Sequence, residues 1–130
     1  MASPLQCEAT EYASSFSRAA EWRGAGRRHL YVSGTASIAE DGSSAHRGDV
    51  DRQIHLSIAV VEALLVSRGF QWSDVTRAVG YFRDGSNAPR LAPLLVARGM
   101  PAGALRTMPA TICRDDLLFE IELDAQAAQA

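Results

Sequence analysis

The chain has 130 residues, a formal net charge of −2, and 47% hydrophobic and 22% charged residues. These values fit one globular domain over 1–130 with loose ends at 1–10 and 125–130, and they argue against a disordered, fibrous or nucleic-acid-binding chain. The longest apolar run, 58–66, is interrupted by Glu62 and is shorter than the ~20 residues that a transmembrane helix needs, so no membrane partner is expected.

Residue usage excludes several kinds of chemistry. All 13 basic residues are arginine, so Schiff-base and pyridoxal phosphate mechanisms that need a lysine amine are excluded. No CxxC, HExxH, paired-histidine or glycine-rich phosphate pattern occurs, so neither a metal nor a cofactor is expected. The N-terminus shows no secretory pattern, and Cys7 and Cys113 are therefore expected as free thiols in the cytoplasm.

The first half of the chain predicts a hairpin followed by a helix. Strands are expected over 15–22 and 29–38, joined by a turn that holds two glycines. After a polar loop, Asp49 fits a helix N-cap and Gly69 fits the position past the helix end. Between them, apolar residues recur at helical spacing: Ile54, Ile58, Val61, Leu64 and Leu65.

The second half predicts a strand over 76–82, a helix over 87–99 opened by Pro89, and strands over 105–113 and 117–123. The order β-β-α-β-α-β-β predicts an α/β (α+β) fold with one sheet and both helices on one face, because crossover connections are right-handed. The other face is expected to expose apolar strand residues and to be covered by self-association.

Three segments resemble the Rid/YjgF family of small trimeric proteins. They are SFSRA at 15–19, YVSGT at 31–35 and EIE at 120–122. The resemblance covers about residues 12–124 and implies that family's single-sheet fold and a homotrimer.

A narrower resemblance is to the C-terminal domain of chorismatases, which hydrolyse or rearrange chorismate in bacterial secondary metabolism. It rests on YVSGTASI at 31–38, HRGD at 46–49 with Gln53, and ICRDDLLFEIE at 112–122. Chorismatases carry two Rid-like domains in one chain, and this chain resembles the second. A homotrimer could rebuild a comparable pocket between subunits.

Glu120 is the leading candidate for catalysis. Strand alternation places Leu118, Glu120 and Glu122 on one face, opposite the core residues Phe119 and Ile121. A carboxyl group partly removed from water has a raised pKa and can act as a general acid near neutral pH. The alternative is a solvent-facing or salt-bridged residue. The resemblance marks Glu120 as the catalytic glutamate, and the choice of Glu120 over Glu122 depends on it.

Cys113 is the second catalytic candidate, since the resemblance places there a cysteine that shapes the pocket; a small buried hydrophobe is the alternative. Arg106 and Arg114 are candidate clamps for a substrate carboxylate. Arg106 is preferred, because Arg114 precedes two aspartates that could pair with it.

Three further residues are candidates for binding substrate. Phe16 and Tyr81 are candidate aromatic walls, although both also fit a plain core. Gly34 would let a ligand approach the backbone closely.

Together these features favour an enzyme, namely a cofactor-free hydrolase or lyase acting on a small cyclic carboxylate, with a glutamate general acid. A general Rid-type enamine/imine deaminase is the first alternative. It would use Arg106 to bind the carboxylate, but the usual Pro-Ala-Arg of that branch is replaced by Pro101-Ala102-Gly103. An isomerase or cyclase, or a non-catalytic trimeric ligand-binding protein, is the other alternative.

Overall fold

The computed structural model describes residues 19–39, 41–112 and 114–128. Phe16, Cys113 and the predicted start of the first strand lie outside the described residues. The strands are β1 (Ala19–Gly24), β2 (Arg27–Thr35), β3 (Val75–Phe82), β4 (Leu105–Pro109) and β5 (Phe119–Ala128). The helices are α1 (Val50–Ser67) and α2 (Leu91–Ala97), with short 3-10 helices at Trp72–Asp74, Gly85–Arg90 and Ala102–Ala104.

The predicted element order is confirmed, and the strands form one sheet in the order β1-β2-β5-β3-β4. All neighbours are antiparallel except β3 and β4, which are parallel and joined through α2. Strand β5 therefore lies in the centre of the sheet, between β2 and β3. This position gives its side chains neighbours on both sides.

Helix α1 begins and ends where its sequence signals predict. The Asp49 side chain accepts a hydrogen bond from the backbone N–H of Arg52, which satisfies one of the donors left over at the helix start. Gly69 follows the helix with φ of +76°, a conformation that side chains with a Cβ rarely adopt. The buried face of α1 carries Ile54, Ile58, Val61 and Leu65.

Helix α2 starts later than the predicted 87–99. The Asp84 side chain accepts from the backbone N–H of Ser86 and begins a 3-10 helix instead. Pro89 and Pro93 have no backbone N–H to donate, so the regular α-helical ladder starts only at Leu91.

The last two strands also differ from their predicted bounds. Strand β4 ends at Pro109 rather than at 113, because proline interrupts the ladder. Strand β5 continues to Ala128, although 125–130 was expected to be loose, since Ala125 to Ala128 pair with residues 27–30 of β2. Strand β2 ends at Thr35, after a register shift between Val32 and Thr35.

One face of the sheet packs against both helices. Leu30, Phe82, Phe119 and Ile121 are fully buried there in a cluster shared with α1 and α2. At Gly80, a Cβ would overlap the Leu91 side chain at the start of α2, so glycine permits the close packing of this helix on the sheet.

The helix-free face is not the apolar surface that was expected. Strand alternation places mostly polar side chains on it: His29, Tyr31, Arg77, Tyr81, Glu120, Glu122 and Asp124. Among the described residues, its exposed large apolar side chains are Trp22 and Met108, at the two edge strands. Hydrogen bonds and ion pairs, rather than apolar packing, organise the centre of this face.

Candidate active site

A pocket of about 220 Å³ opens on the helix-free face, where β3 and β5 meet the loop 110–118. The described residues that line it are Tyr81, Ala110, Thr111, Ile112, Glu120 and Glu122. Tyr81 and Glu120 are direct partners across the β3–β5 ladder, so the sheet itself sets their separation. The expected orientation of Glu120 is confirmed, since Phe119, Ile121 and Leu123 are fully buried on the opposite face.

The two carboxyl groups of the pocket have different surroundings. Both oxygens of Glu122 are engaged, because Arg77 Nη2 donates to Oε2 at 2.8 Å and the Tyr81 hydroxyl donates to Oε1 at 3.0 Å. Arg77 also donates through Nε to Asp124 at 2.6 Å. Among the described residues, no group donates a hydrogen bond to Glu120.

The surroundings of Glu120 favour its neutral, protonated form. Burial raises the pKa of Glu120, and the neighbouring charge of Glu122 raises it further, since both disfavour a second negative charge in the pocket. Two carboxyl groups whose environments separate their roles are a common arrangement in acid-base catalysis. The structure thus distinguishes Glu120 from Glu122, which strand alternation could not do.

Gly34 contacts Glu120 from the neighbouring strand. A Cβ at position 34 would overlap the Glu120 carboxyl group. The register shift of β2 falls at this point, and such irregularities redirect side chains next to active sites. Gly34 therefore provides the space in which the Glu120 side chain lies.

Two side chains fasten the loop that forms the pocket wall. Arg83 donates to the carbonyl oxygens of Ile112, Arg114 and Leu117 at 2.8, 2.6 and 3.0 Å. Gln53, fully buried on α1, donates to the Asp116 carbonyl at 3.0 Å and accepts from the Leu118 N–H at 2.8 Å. These bonds fix the loop 110–118 between β4 and β5.

A second contact layer joins this loop to the loop that follows β2. Ala36, Ile38, Ile112 and Leu117 form a small buried cluster of their own. Above it, Ser44 donates to Asp116 at 2.7 Å, and Arg47 pairs with the same carboxylate at 3.2 Å.

The sequence-predicted residues divide into three groups. Tyr81 and Glu120 line the pocket, and Gly34 touches Glu120. Arg106 and Arg114 do not line it: Arg106 is exposed and donates to the carbonyls of Gly103 and Leu105, whereas Arg114 reaches Ser44 at 3.4 Å. Phe16 and Cys113 lie outside the described residues.

Sequence reasoning missed the supporting residues. Arg83 and Arg77 carry no motif, and their partners come from β5 and its preceding loop, distant in sequence. Gln53 gave a usable signal, because it lies one position before Ile54 on the apolar stripe of α1. A polar residue on a buried face needs hydrogen-bond partners, and here they come from the loop.

The described residues contain no group of three or more histidine, cysteine, aspartate or glutamate side chains arranged to hold a metal ion. Within the same part of the chain, no helix is long and apolar enough to cross a membrane.

Comparison with solved structures identifies the fold. A chorismatase crystal structure matches with a TM-score of 0.70 and 27% sequence identity, over 85% of this chain and 36% of the chorismatase. A Rid-family protein of unknown function, YyfA from Yersinia pestis, matches with a TM-score of 0.70 and 19% identity over 97% and 96% of the two chains. The YjgF gene product of E. coli matches with a TM-score of 0.68 and 15% identity over 86% and 87%.

The chain has the Rid/YjgF fold. It spans about a third of the length of the chorismatase and nearly the whole length of the two Rid/YjgF proteins. No family model and no curated protein sequence matches it. The Rid/YjgF fold accounts for the sheet order and for the position of the helices. The match to the chorismatase adds a sequence identity of 27% over 85% of this chain.

Proposed function

We propose that this protein is a cofactor-free hydrolase or lyase of the chorismatase-like Rid type, acting in the cytoplasm on a small cyclic carboxylate of bacterial secondary metabolism. One observation carries the proposal: Glu120 has no hydrogen-bond donor among the described residues, has a raised pKa and lines a pocket. The 27% identity to a chorismatase supports this choice of reaction class.

Glu120 is the general acid of the proposed reaction. It donates its proton to the substrate oxygen as the carbon–oxygen bond breaks, and a water molecule supplies the hydroxyl group. The second proton of that water returns to the Glu120 carboxylate, so the enzyme is regenerated. In a lyase reaction, the returning proton comes from a substrate carbon instead.

The substrate carboxylate needs a cation, and we assign this role to Arg114 or Arg106. Neither lines the pocket in a single chain. Arg114 is the better placed, because it belongs to the same loop as Ile112 and its guanidinium contacts Ser44 only at 3.4 Å. We propose Cys113 as a second residue of this loop that contributes to the reaction.

The protein should be incubated with chorismate and the products separated by chromatography. Turnover that disappears in Glu120→Gln and persists in Asp51→Asn, an exposed site on α1, would support the proposal. Turnover that survives in Glu120→Gln would contradict the role of Glu120.

An enamine/imine deaminase is the second candidate, because the resemblance to the Rid/YjgF family implies that activity, and a Rid-family protein matches over nearly the full length of both chains. That reaction would require a carboxylate-binding arginine, and Arg106 is turned toward carbonyls of its own segment. Incubation with an enzyme that generates 2-imino acids tests it. Faster loss of the imine with wild type than with Arg106→Ala would support it, and equal rates would contradict it.

We further propose a homotrimer in which the helix-free face is covered by neighbouring copies. The exposed Trp22 supports this, as does a second depression of about 290 Å³ beside it, lined partly by Arg77 and Asp124. Light scattering tests the proposal, and a monomeric mass at micromolar concentration would refute it.

A further inference from the structure

The same tripeptide, Asp-Gly-Ser, occurs twice in the chain, at 41–43 and at 84–86. An aspartate that precedes glycine can form a five-membered succinimide ring with the glycine nitrogen, because glycine has no Cβ to crowd the ring closure. The shared tripeptide gives both sites nearly the same intrinsic reactivity. A difference between them in the folded protein therefore comes from the structure.

The two aspartate side chains are held in the same way. Asp41 Oδ1 accepts hydrogen bonds from the backbone N–H and the hydroxyl of Ser43 at 2.9 and 2.6 Å. Asp84 Oδ1 accepts from the same two groups of Ser86 at 3.0 and 2.8 Å. The hydroxyl bond, followed by the backbone bond, lowers the pKa of each aspartate. An ionised carboxylate is a poor electrophile, so each serine restrains ring closure at its aspartate.

The backbone nitrogens that would attack these carboxyl groups have different surroundings. The Gly42 N–H donates to the Ala39 carbonyl at 2.9 Å. Gly85 begins the 3-10 helix Gly85–Arg90, and the first N–H groups of a helix have no acceptor within it. Ring closure at Gly42 must therefore break a backbone hydrogen bond, whereas at Gly85 no bond within the helix has to break. Residues 84–86 are also exposed, so water reaches this site.

We propose that Asp84 is a site of spontaneous isoaspartate formation that Ser86 restrains. The Gly85 nitrogen forms a bond to Cγ of the protonated Asp84 carboxyl group, whose hydroxyl leaves as water with the proton of the Gly85 N–H. A water molecule then attacks the backbone carbonyl carbon of Asp84, and the original peptide C–N bond breaks. The chain now continues through the former side-chain carbonyl. One water is released and one is taken up, so the conversion needs no other reactant.

The position of Asp84 connects this modification with the pocket wall. Arg83, its neighbour in the chain, donates to three carbonyl oxygens of the loop 110–118, and its backbone N–H donates to the Leu118 carbonyl at 3.1 Å. Isoaspartate adds one carbon to the main chain directly after Arg83 and displaces the carboxylate that begins the 3-10 helix. The modified protein should therefore hold residues 114–118 less firmly.

Prolonged incubation of the wild-type protein at neutral pH and physiological temperature tests the proposal. All basic residues are arginine, so trypsin places the two sites in separate peptides, 84–90 and 29–47. Isoaspartate shifts the retention time of a peptide without changing its mass, and synthetic peptides of both forms calibrate the separation. In the folded protein, isoaspartate should form about fivefold faster at Asp84 than at Asp41, the factor that one net hydrogen bond supplies. In protein unfolded by urea, the two rates should become nearly equal.

Two matched variants test the restraint by serine. Ser86→Ala removes one of the two donors to Asp84 and should raise the rate of isoaspartate formation there about fivefold. Ser43→Ala makes the same change at the other tripeptide and should raise the rate only at Asp41.

A third variant and a second measurement test the chemistry and its consequence. Gly85→Ala places a Cβ at 3.7 Å from the Pro109 side chain, an ordinary contact, so the fold should be kept while isoaspartate at position 84 is lost. The isoaspartyl form of the wild type, separated by ion exchange, should show faster amide hydrogen exchange at 114–118 than the unmodified protein.

Equal or faster isoaspartate formation at Asp41 in the folded protein would overturn the proposal. An unchanged rate at Asp84 in Ser86→Ala would also overturn it, as would the absence of isoaspartate at Asp84 in folded protein under conditions in which the unfolded protein forms it. Unchanged exchange at 114–118 in the isoaspartyl form would overturn the connection with the pocket wall.

Discussion

Replacing Gln53 with alanine should destabilise the whole chain and loosen the pocket wall. Gln53 is fully buried on α1 and makes three hydrogen bonds. Its amide donates to the carbonyls of His46 and Asp116 at 3.1 and 3.0 Å, and its oxygen accepts from the Leu118 N–H at 2.8 Å. The backbone groups of two loops therefore depend on this one side chain.

The expected cost follows from those three bonds. Each intramolecular hydrogen bond contributes about 1 kcal/mol, and a buried backbone group left without a partner costs about 1–3 kcal/mol. With water partly replacing the lost partners, Gln53→Ala should lower the free energy of unfolding by about 3–5 kcal/mol. This is a large share of the ~5–15 kcal/mol typical of a domain.

Urea unfolding followed by tryptophan fluorescence measures the change, at one fixed protein concentration because assembly would affect the midpoint. The midpoint should fall by roughly 2 M at an m-value of ~2 kcal/mol/M. Arg52→Ala, its exposed neighbour on the same helix, is the matched control and should change the free energy by less than about 0.5 kcal/mol. A loss below about 1 kcal/mol in Gln53→Ala would refute the argument that this side chain fixes the loop.

Three further predictions concern Glu120 and its support. The pKa of Glu120 is raised in the folded state, so ionisation of this group opposes folding. Glu120→Gln should therefore stabilise the protein at pH 7, with a gain that shrinks as the pH falls through the raised pKa and is gone below the ordinary carboxyl range; a gain independent of pH in urea unfolding would contradict this. Gly34→Ala should displace the Glu120 carboxyl group and lower the free energy of unfolding by about 1–3 kcal/mol. Unchanged stability together with an unchanged Glu120 titration by ¹³C NMR would contradict this prediction. Arg83→Gln loses hydrogen bonds to three loop carbonyls, so the free energy of unfolding should fall by about 2–4 kcal/mol and amide hydrogen exchange at 114–118 should become faster. A loss of stability without faster exchange at these amides would show that Arg83 does not act through this loop.

The groups that face Glu120 define the pH dependence expected of the site. Glu122 lies on the same strand, and Tyr81 and Arg77 lie on β3. Tyr31, on β2, has a raised pKa through burial and the charge of Glu122, and Tyr81 has a raised pKa through burial and its hydrogen bond to Glu122. Neither tyrosine therefore competes with Glu120 as a titrating group near neutral pH.

Local patterns in the sequence predict most of the fold. Both ends of α1 follow from short-range signals, namely the cap at Asp49 and the glycine at position 69, and its buried face follows from the apolar stripe. The C-terminal end of β5 differs from its predicted position, because it is set by pairing with residues that are distant in sequence. Residues 125–128 have little strand propensity, and they are ordered because β2 pairs with them.

The candidate site was less accessible to sequence reasoning. Strand alternation predicts the face of Glu120, and its role remains a prediction from the resemblance. The difference between Glu120 and Glu122 comes from Arg77 and Tyr81 on another strand. The polar character of the helix-free face was missed for the same reason. Charged residues on a strand look alike in sequence whether they face water or one another.

The central place of β5 in the sheet has a consequence for synthesis of the protein. The hairpin β1–β2, helix α1 and strand β3 all leave the ribosome before the strand that joins them. Until β5 emerges, β2 and β3 have no strand between them, and the apolar residues that pack against Phe119, Ile121 and Leu123 remain uncovered. Because Glu120 lies on that same strand, a chain that ends before β5 lacks both the central strand of the sheet and the proposed acid.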